Sequence, residues 1–182
     1  LDPDYAQAHA ELGWIATSYD SNLSAAARHY ERALSLDPDN IYVLAGAAVL
    51  LKALGRVSDA LVLEEYVVAR DPLNPGVHIN AGVSYFHTGR WDDAIQSWRT
   101  GLRLSPGHVG IHYFIALALI NNGEAEAALD EAQKEGFEVF ALAGRTMALA
   151  SLGRRQAYED SLQQLVDAWA EQFPAIVARV LA

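Results

Sequence analysis

The sequence predicts an all-α fold, an α-α superhelix built from repeated helix pairs. Three observations carry this. Asp2-Pro3, Asp37-Pro38, Asp71-Pro72 and Ser105-Pro106 recur at intervals of 35, 34 and 34 residues. Gly55, Gly89 and Gly123 keep the same 34-residue spacing, and so do Ala60, Ala94 and Ala128. Two independent sets of small or helix-breaking residues in one period define a repeated supersecondary unit, and this period suits a unit of two helices.

The units follow in order. Residues 6–40 form the first, with one residue inserted near Asp20-Ser21-Asn22, which accounts for the longer first interval. Residues 41–74 and 75–108 form the second and third. Proline ends the second helix of each, because it lacks an N–H and clashes with the preceding turn. Glycine between the helices ends the first one with a left-handed residue. Asp39-Asn40 and Asn74 supply side chains that cap the next start. Residues 109–138 form a fourth unit without the Asp-Pro, whose second helix is expected from about Ala125 to Lys134. Residues 139–174 form a fifth, with a long second helix running through Trp169 and stopping before Pro174. Residues 175–182 are expected as a capping or truncated helix, which array ends need. The whole is read as a single domain of ten antiparallel helices plus a short one, without strands, coiled as a right-handed superhelix.

These residues resemble the tetratricopeptide repeat. Its pattern has a large residue at position 4, small residues at 8 and 20, aromatics at 11 and 24, and proline at 32. The first unit supplies Gly13, Ala26, Tyr30 and Pro38 to that pattern. The second supplies Ala48, Ala60 and Pro72, the third Gly82, Ala94, Trp98 and Pro106, and the fourth Ala116 and Ala128. The resemblance implies that Gly13–Ala26, Ala48–Ala60, Gly82–Ala94 and Ala116–Ala128 lie buried at helix crossings. A narrower likeness rests on Met147 to Arg155, on Ser161 to Leu165 and on the Arg70 to Pro75 run. These resemble repeat regions attached to bacterial class III adenylate cyclases and winged-helix regulators, which implies a regulatory parent protein. Leu1-Asp2-Pro3 looks like the tail of a preceding repeat, so an excised fragment is expected.

Composition narrows the function. Net charge is −10 with no Lys/Arg run, so the basic stripe a phosphate backbone or an anionic membrane surface requires is missing. With no cysteine there is no disulfide framework, Cys-based zinc site or thiol nucleophile. Cysteine usage does not fix the compartment, for which the cytoplasm is the expectation. No signal peptide is visible, and no apolar run reaches the ~20 residues of a membrane span. Asn22-Leu23-Ser24 fits a glycosylation sequon, a three-residue match common by chance.

No enzyme motif is present, and neither a cofactor nor a metal is expected. There is no Gly-rich phosphate loop, Gly-x-Ser-x-Gly or His-Glu-x-x-His. His108 and His112 have the four-residue spacing of a two-histidine metal site, but His112 falls at a bulky packing position and no third ligand is near in sequence. The carboxylate pairs Asp92-Asp93 and Glu64-Glu65 read as parts of a solvated outer face.

The resemblance implies a binding groove lined by positions 2, 5, 9, 12 and 13 of each first helix. The candidates there are Trp14, Tyr42, Lys52, Ile79, Phe86, His87, Tyr113, Ile120, Asn121 and Met147, with Ala10, Ala45 and Val49 among the smaller neighbours. So apolar and aromatic a row marks an interaction site if it faces solvent. It is a packing row if curvature buries it. The carboxylate clamp of chaperone-tail receptors would need cations and asparagines where this chain has Ala10, Trp14, Gly46, Gly76 and Asn80, so it is absent. The asparagine ladder of sugar-transferring arrays also fails, since only Asn80 holds that position. The leading expectation is a non-catalytic protein-interaction module that holds a protein or peptide partner. The alternatives are an array that self-associates through exposed terminal repeats or docks on its own parent chain and, remotely, an enzyme.

Overall fold

A computed structural model describes residues 4–181. The expectations for the Asp2-Pro3 turn and for Ala182 lie outside the described residues. Eleven helices follow one another, with no strand among the described residues. They are α1 (Ala6–Ser18), α2 (Leu23–Leu36), α3 (Ile41–Ala53), α4 (Val57–Arg70), α5 (Pro75–His87), α6 (Trp91–Leu104), α7 (Ile111–Asn121), α8 (Ala125–Ala132), α9 (Glu138–Ser151), α10 (Arg155–Trp169) and α11 (Pro174–Leu181). This is the all-α helix-pair array the sequence predicts.

The chain divides into two compact units, the first ending at Arg90 and the second beginning at Trp91. That boundary lies between α5 and α6, inside the third repeat. In unit 1, α1 packs on α2 and α3, α3 on α4, and α4 on α5. In unit 2, α7 packs on α6, α8 and α9, and α9 packs on α8, α10 and α11. Within each unit, contact between alternate helices, α1 with α3 and α7 with α9, as well as between neighbours, ties one repeat to the next.

Local chemistry sets the helix ends. The Asn40 side chain accepts from the backbone N–H of Tyr42 at 3.1 Å and of Val43 at 3.3 Å, capping α3. Its own amide donates to Asp37 at 2.9 Å. Asn74 repeats the device, accepting from Gly76 N–H at 3.0 Å and donating to Asp71 at 3.0 Å. The aspartate of each Asp-Pro turn thus orients the asparagine that starts the next helix. At the other end of α3, Gly55 has φ +75°. That left-handed step lets Arg56 N–H reach back to the Leu51 carbonyl at 2.8 Å and close the helix. The periodic Gly89 and Gly123, and Gly153 thirty residues further on, do the same work in their turns. The first repeat has no such glycine. There Ser21 carries φ +51°, and the inserted residue lets Asn22 N–H bond the Ala16 carbonyl at 2.8 Å.

Packing follows the small residues. Ala26, Ala48, Ala60, Ala94, Ala116 and Ala128 are fully buried, and Gly13 and Gly82 are buried with them. At Gly13 the tightest neighbour is an aromatic ring. A Cβ there would sit 2.8 Å from the ring of Tyr30. The fifth repeat solves its crossing with polar groups that the sequence reading left unassigned. Thr146 and Ser161 are both buried and hydrogen-bonded at 2.7 Å, and Arg145 Nε donates to Ser161 at 3.1 Å. Helix α8 stops at Ala132, two residues short of the expected Lys134. Lys134 instead turns back to bond Glu131 at 2.7 Å.

Candidate functional site

The first helices of unit 1 enclose a hollow of about 280 Å³. This is close to the small end of ligand-sized pockets, at about 300 Å³. Ala10, Glu11 and Trp14 come from α1, Tyr42, Ala45, Gly46 and Val49 from α3, and Asn80 from α5, while Tyr30 of α2 forms the floor. The lining is mostly apolar. Trp14 and Tyr42 are 41% and 46% exposed, so both rings stand at the rim rather than in the core. Trp14 is held edge-on by Tyr19, with ring centroids 5.3 Å apart.

Tyr30 is positioned by two glycines. A Cβ on Gly13 would meet one edge of its ring at 2.8 Å, and a Cβ on Gly46 would meet the other edge and the hydroxyl at 2.7 Å. Only glycine on α1 and α3 lets the two helices close on this ring. The Tyr30 hydroxyl is buried and has no protein hydrogen-bond partner. Burial, then the nearby Tyr42 and Glu11, push its pKa up to about 12. The Tyr42 hydroxyl donates to the Glu11 carboxylate. That hydrogen bond, then burial and the Glu11 charge, raise Tyr42 to about 12 as well. Both phenols are therefore neutral at physiological pH, and Glu11 carries the charge of the cluster.

Of the ten residues proposed from sequence, Trp14 and Tyr42 line this hollow. Lys52 does not. Its ammonium is turned inward and bonds the Glu64 carboxylate at 2.7 Å, where Glu64 is only 3% exposed. This corrects two readings at once, since Glu64 was assigned to a solvated face. A lysine in an otherwise apolar helix was the available signal that a buried partner exists. Beside Glu64 lies a cavity of about 10 Å³ between α3, α4 and α5. Ile79 and Phe86 are half-buried on α5 and His87 is exposed, its ring edge-on to Phe86 at 5.6 Å.

In unit 2, Tyr113 is completely buried, a correction to its place among groove residues. Its ring packs between Phe114 and Phe140, each 5.4 Å away, and a Cβ on Gly144 would lie 3.5 Å from it. Ile120 and Met147 are half-buried and Asn121 is exposed. His112 is paired with a carboxylate, Nδ1 to Glu131 Oε1 at 2.6 Å, and His108 is exposed in the turn. Burial pushes the Glu131 carboxyl up, but Lys134 and His112 together outweigh it and hold it below the usual range. Among the described residues no group of three or more His, Asp or Glu side chains is placed to hold a metal. None of the described helices is long and apolar enough to cross a membrane.

Sequence reasoning missed Glu11, Tyr30 and Gly46 as parts of the hollow. Tyr30 sits at an aromatic packing position, and Gly46 lies outside the period. Two glycines on consecutive first helices, with one tyrosine between them in sequence, were the signal.

An all-helical array, with an apolar hollow across the first helices of unit 1, defines a helical-repeat protein. A tetratricopeptide-repeat family model matches residues 45–98 and 79–136, together half of the chain, and a second model of that description matches residues 20–63. The chain belongs to the tetratricopeptide-repeat family. Solved structures agree in fold. A thermophilic tetratricopeptide-repeat protein of Thermus thermophilus is 19% identical, with 97% of each chain covered and a TM-score of 0.75. PilF of Pseudomonas aeruginosa is 21% identical over 99% of this chain and 82% of its own, with a TM-score of 0.73. The MamA protein is 18% identical over 93% of this chain and 94% of its own, also with a TM-score of 0.73. A comparison with curated protein sequences returns no significant match.

Proposed function

We propose that the chain is a non-catalytic protein-interaction module that seats an apolar stretch of a partner protein or peptide in the hollow of unit 1. The observation that supports this most is the exposure of Trp14 and Tyr42 at the rim of a preformed apolar cavity. Large aromatics placed so gain most from being covered, because they bury much surface at little cost in side-chain entropy. The cavity is shaped before a partner arrives, since Tyr30 is wedged between Gly13 and Gly46. Binding there requires little reorganisation. The test is retention of partner proteins by the purified chain and by a Trp14→Ala/Tyr42→Ala variant with an unchanged helical spectrum. The account expects the partners to be lost from the variant, and equal retention would contradict it.

A second reading is self-association. Leu12 and Ile15 of α1 and Tyr19 just beyond its end are 41%, 41% and 73% exposed, an apolar strip outside the hollow. Sedimentation over a range of concentrations decides it. A strict monomer at the highest concentration removes this reading and leaves the first untouched.

A further inference from the structure

The hollow also has a sign. Helices α1, α3 and α5 together contain one carboxylate, Glu11, and one lysine or arginine, Lys52. Lys52 is neutralised at 2.7 Å by the buried Glu64 and does not line the hollow. Among the described residues Glu11 has no cationic partner, and its carboxylate accepts only the Tyr42 hydroxyl, which leaves further lone pairs open. The floor adds a second acceptor. The Tyr30 hydroxyl, in a side chain 2% exposed, has no protein partner and lies where Gly46 lines the cavity.

We infer that the hollow receives a cationic side chain, a lysine or arginine carried on an apolar segment of a protein partner. This rests on the groove reading above and names the chemistry that reading leaves open. The aliphatic stem covers Ala10, Ala45 and Val49, as long basic side chains do along apolar surface. The charged head meets the Glu11 carboxylate between the Trp14 and Tyr42 rings, whose faces attract cations. An anionic segment finds no free cation here and faces Glu11 and two ring faces. The net charge of −10 favours encounter with a basic partner. The sign is opposite to that of a carboxylate clamp.

The test titrates the whole chain with three peptides, each acetylated and amidated at its ends. The first is Ala-Leu-Lys-Leu-Ala, the second replaces lysine by uncharged norleucine, and the third replaces it by glutamate. Heteronuclear NMR follows the Trp14 indole N–H and the Gly46 amide. The lysine peptide should shift both signals and bind about five- to tenfold more tightly than the norleucine peptide, with the glutamate peptide weakest. Glu11→Gln should remove the lysine advantage, so that the lysine and norleucine peptides bind the variant alike. Equal binding of lysine and norleucine peptides at the hollow overturns this inference and leaves the groove reading standing. An advantage that survives Glu11→Gln overturns it too. If none of the peptides moves the Trp14 and Gly46 signals, both readings fall.

Discussion

The Lys52 ammonium and the Glu64 carboxylate meet at 2.7 Å inside unit 1, joining α3 to α4 through a contact that almost excludes water. Burial raises the Glu64 pKa, and the charge and hydrogen bond of Lys52 pull it back only in part. Ser84 of α5 is buried beside the pair and adds a smaller pull in the same direction. Such a pair is weak evidence for net stability, yet removing one partner strands the other charge.

Lys52→Met should therefore destabilise unit 1 by about 3 kcal/mol at neutral pH. The sign with pH is fixed. A glutamate whose folded pKa is raised binds more protons when folded, so stability falls as pH rises from the ordinary glutamate range through the folded pKa. Without Lys52 that pKa rises further. Urea unfolding of the variant should show stability recovering as pH is lowered towards the ordinary glutamate range. A flat pH profile would contradict the buried position of Glu64. Lys52→Met combined with Glu64→Leu should restore much of the loss at neutral pH.

The ring clamp gives a second test. Gly46→Ala would normally gain up to about 1 kcal/mol in helix propensity. Here its Cβ would sit 2.7 Å from a tyrosine that cannot move, since Gly13 holds the other edge. Overpacking should cost about 1–3 kcal/mol and outweigh that gain. Adding Tyr30→Ala should make the Gly46→Ala substitution neutral or favourable, a non-additivity that a double-mutant cycle reads directly.

Unit 2 carries the opposite pH dependence. Glu131 is held below the usual carboxylate range, so its contribution is present above that range and is lost as pH falls through the folded pKa. Lys134→Ala removes one of its two partners. The variant should start to lose stability at a higher pH than the parent when acid unfolding is followed by circular dichroism. Coincident acid limbs would mean that Lys134 does not hold Glu131.

The helix starts should respond alike. Asn40→Ala and Asn74→Ala each remove a cap with the same Asp-to-Asn support, and each should cost about 1 kcal/mol in thermal melts. Asp37→Ala and Asp71→Ala should cost less, because they only loosen the capping side chain.

What could be read in the sequence was local and periodic. The capping role of Asn40 and Asn74, the turn glycines and the buried small residues all repeat at one spacing, and repetition separates them from chance. The helix-pair fold follows from those positions. The site was harder to read because its parts do not repeat. Glu64 sits beside Glu65 and looks like half of a solvated pair, and only the inward turn of Lys52, twelve residues earlier, reveals otherwise. Gly46 belongs to no period, so the repeat pattern does not join it to Tyr30. Tyr113 occupies a groove position by register, but the rings of Phe114 and Phe140 close over it. These contacts depend on which helix faces come together, which a one-dimensional period does not encode.

The central claim is that a partner sits in the hollow of unit 1. A benzophenone amino acid placed at Trp14 tests it most directly, with the same group at Val62 of α4 as the control. Val62 is 66% exposed and outside the hollow, so both positions accept the group without disturbing the core. After irradiation with bound partner, the account predicts a covalent adduct from position 14 and none from position 62. An adduct from position 62 alone, or equal yields from both, would contradict it.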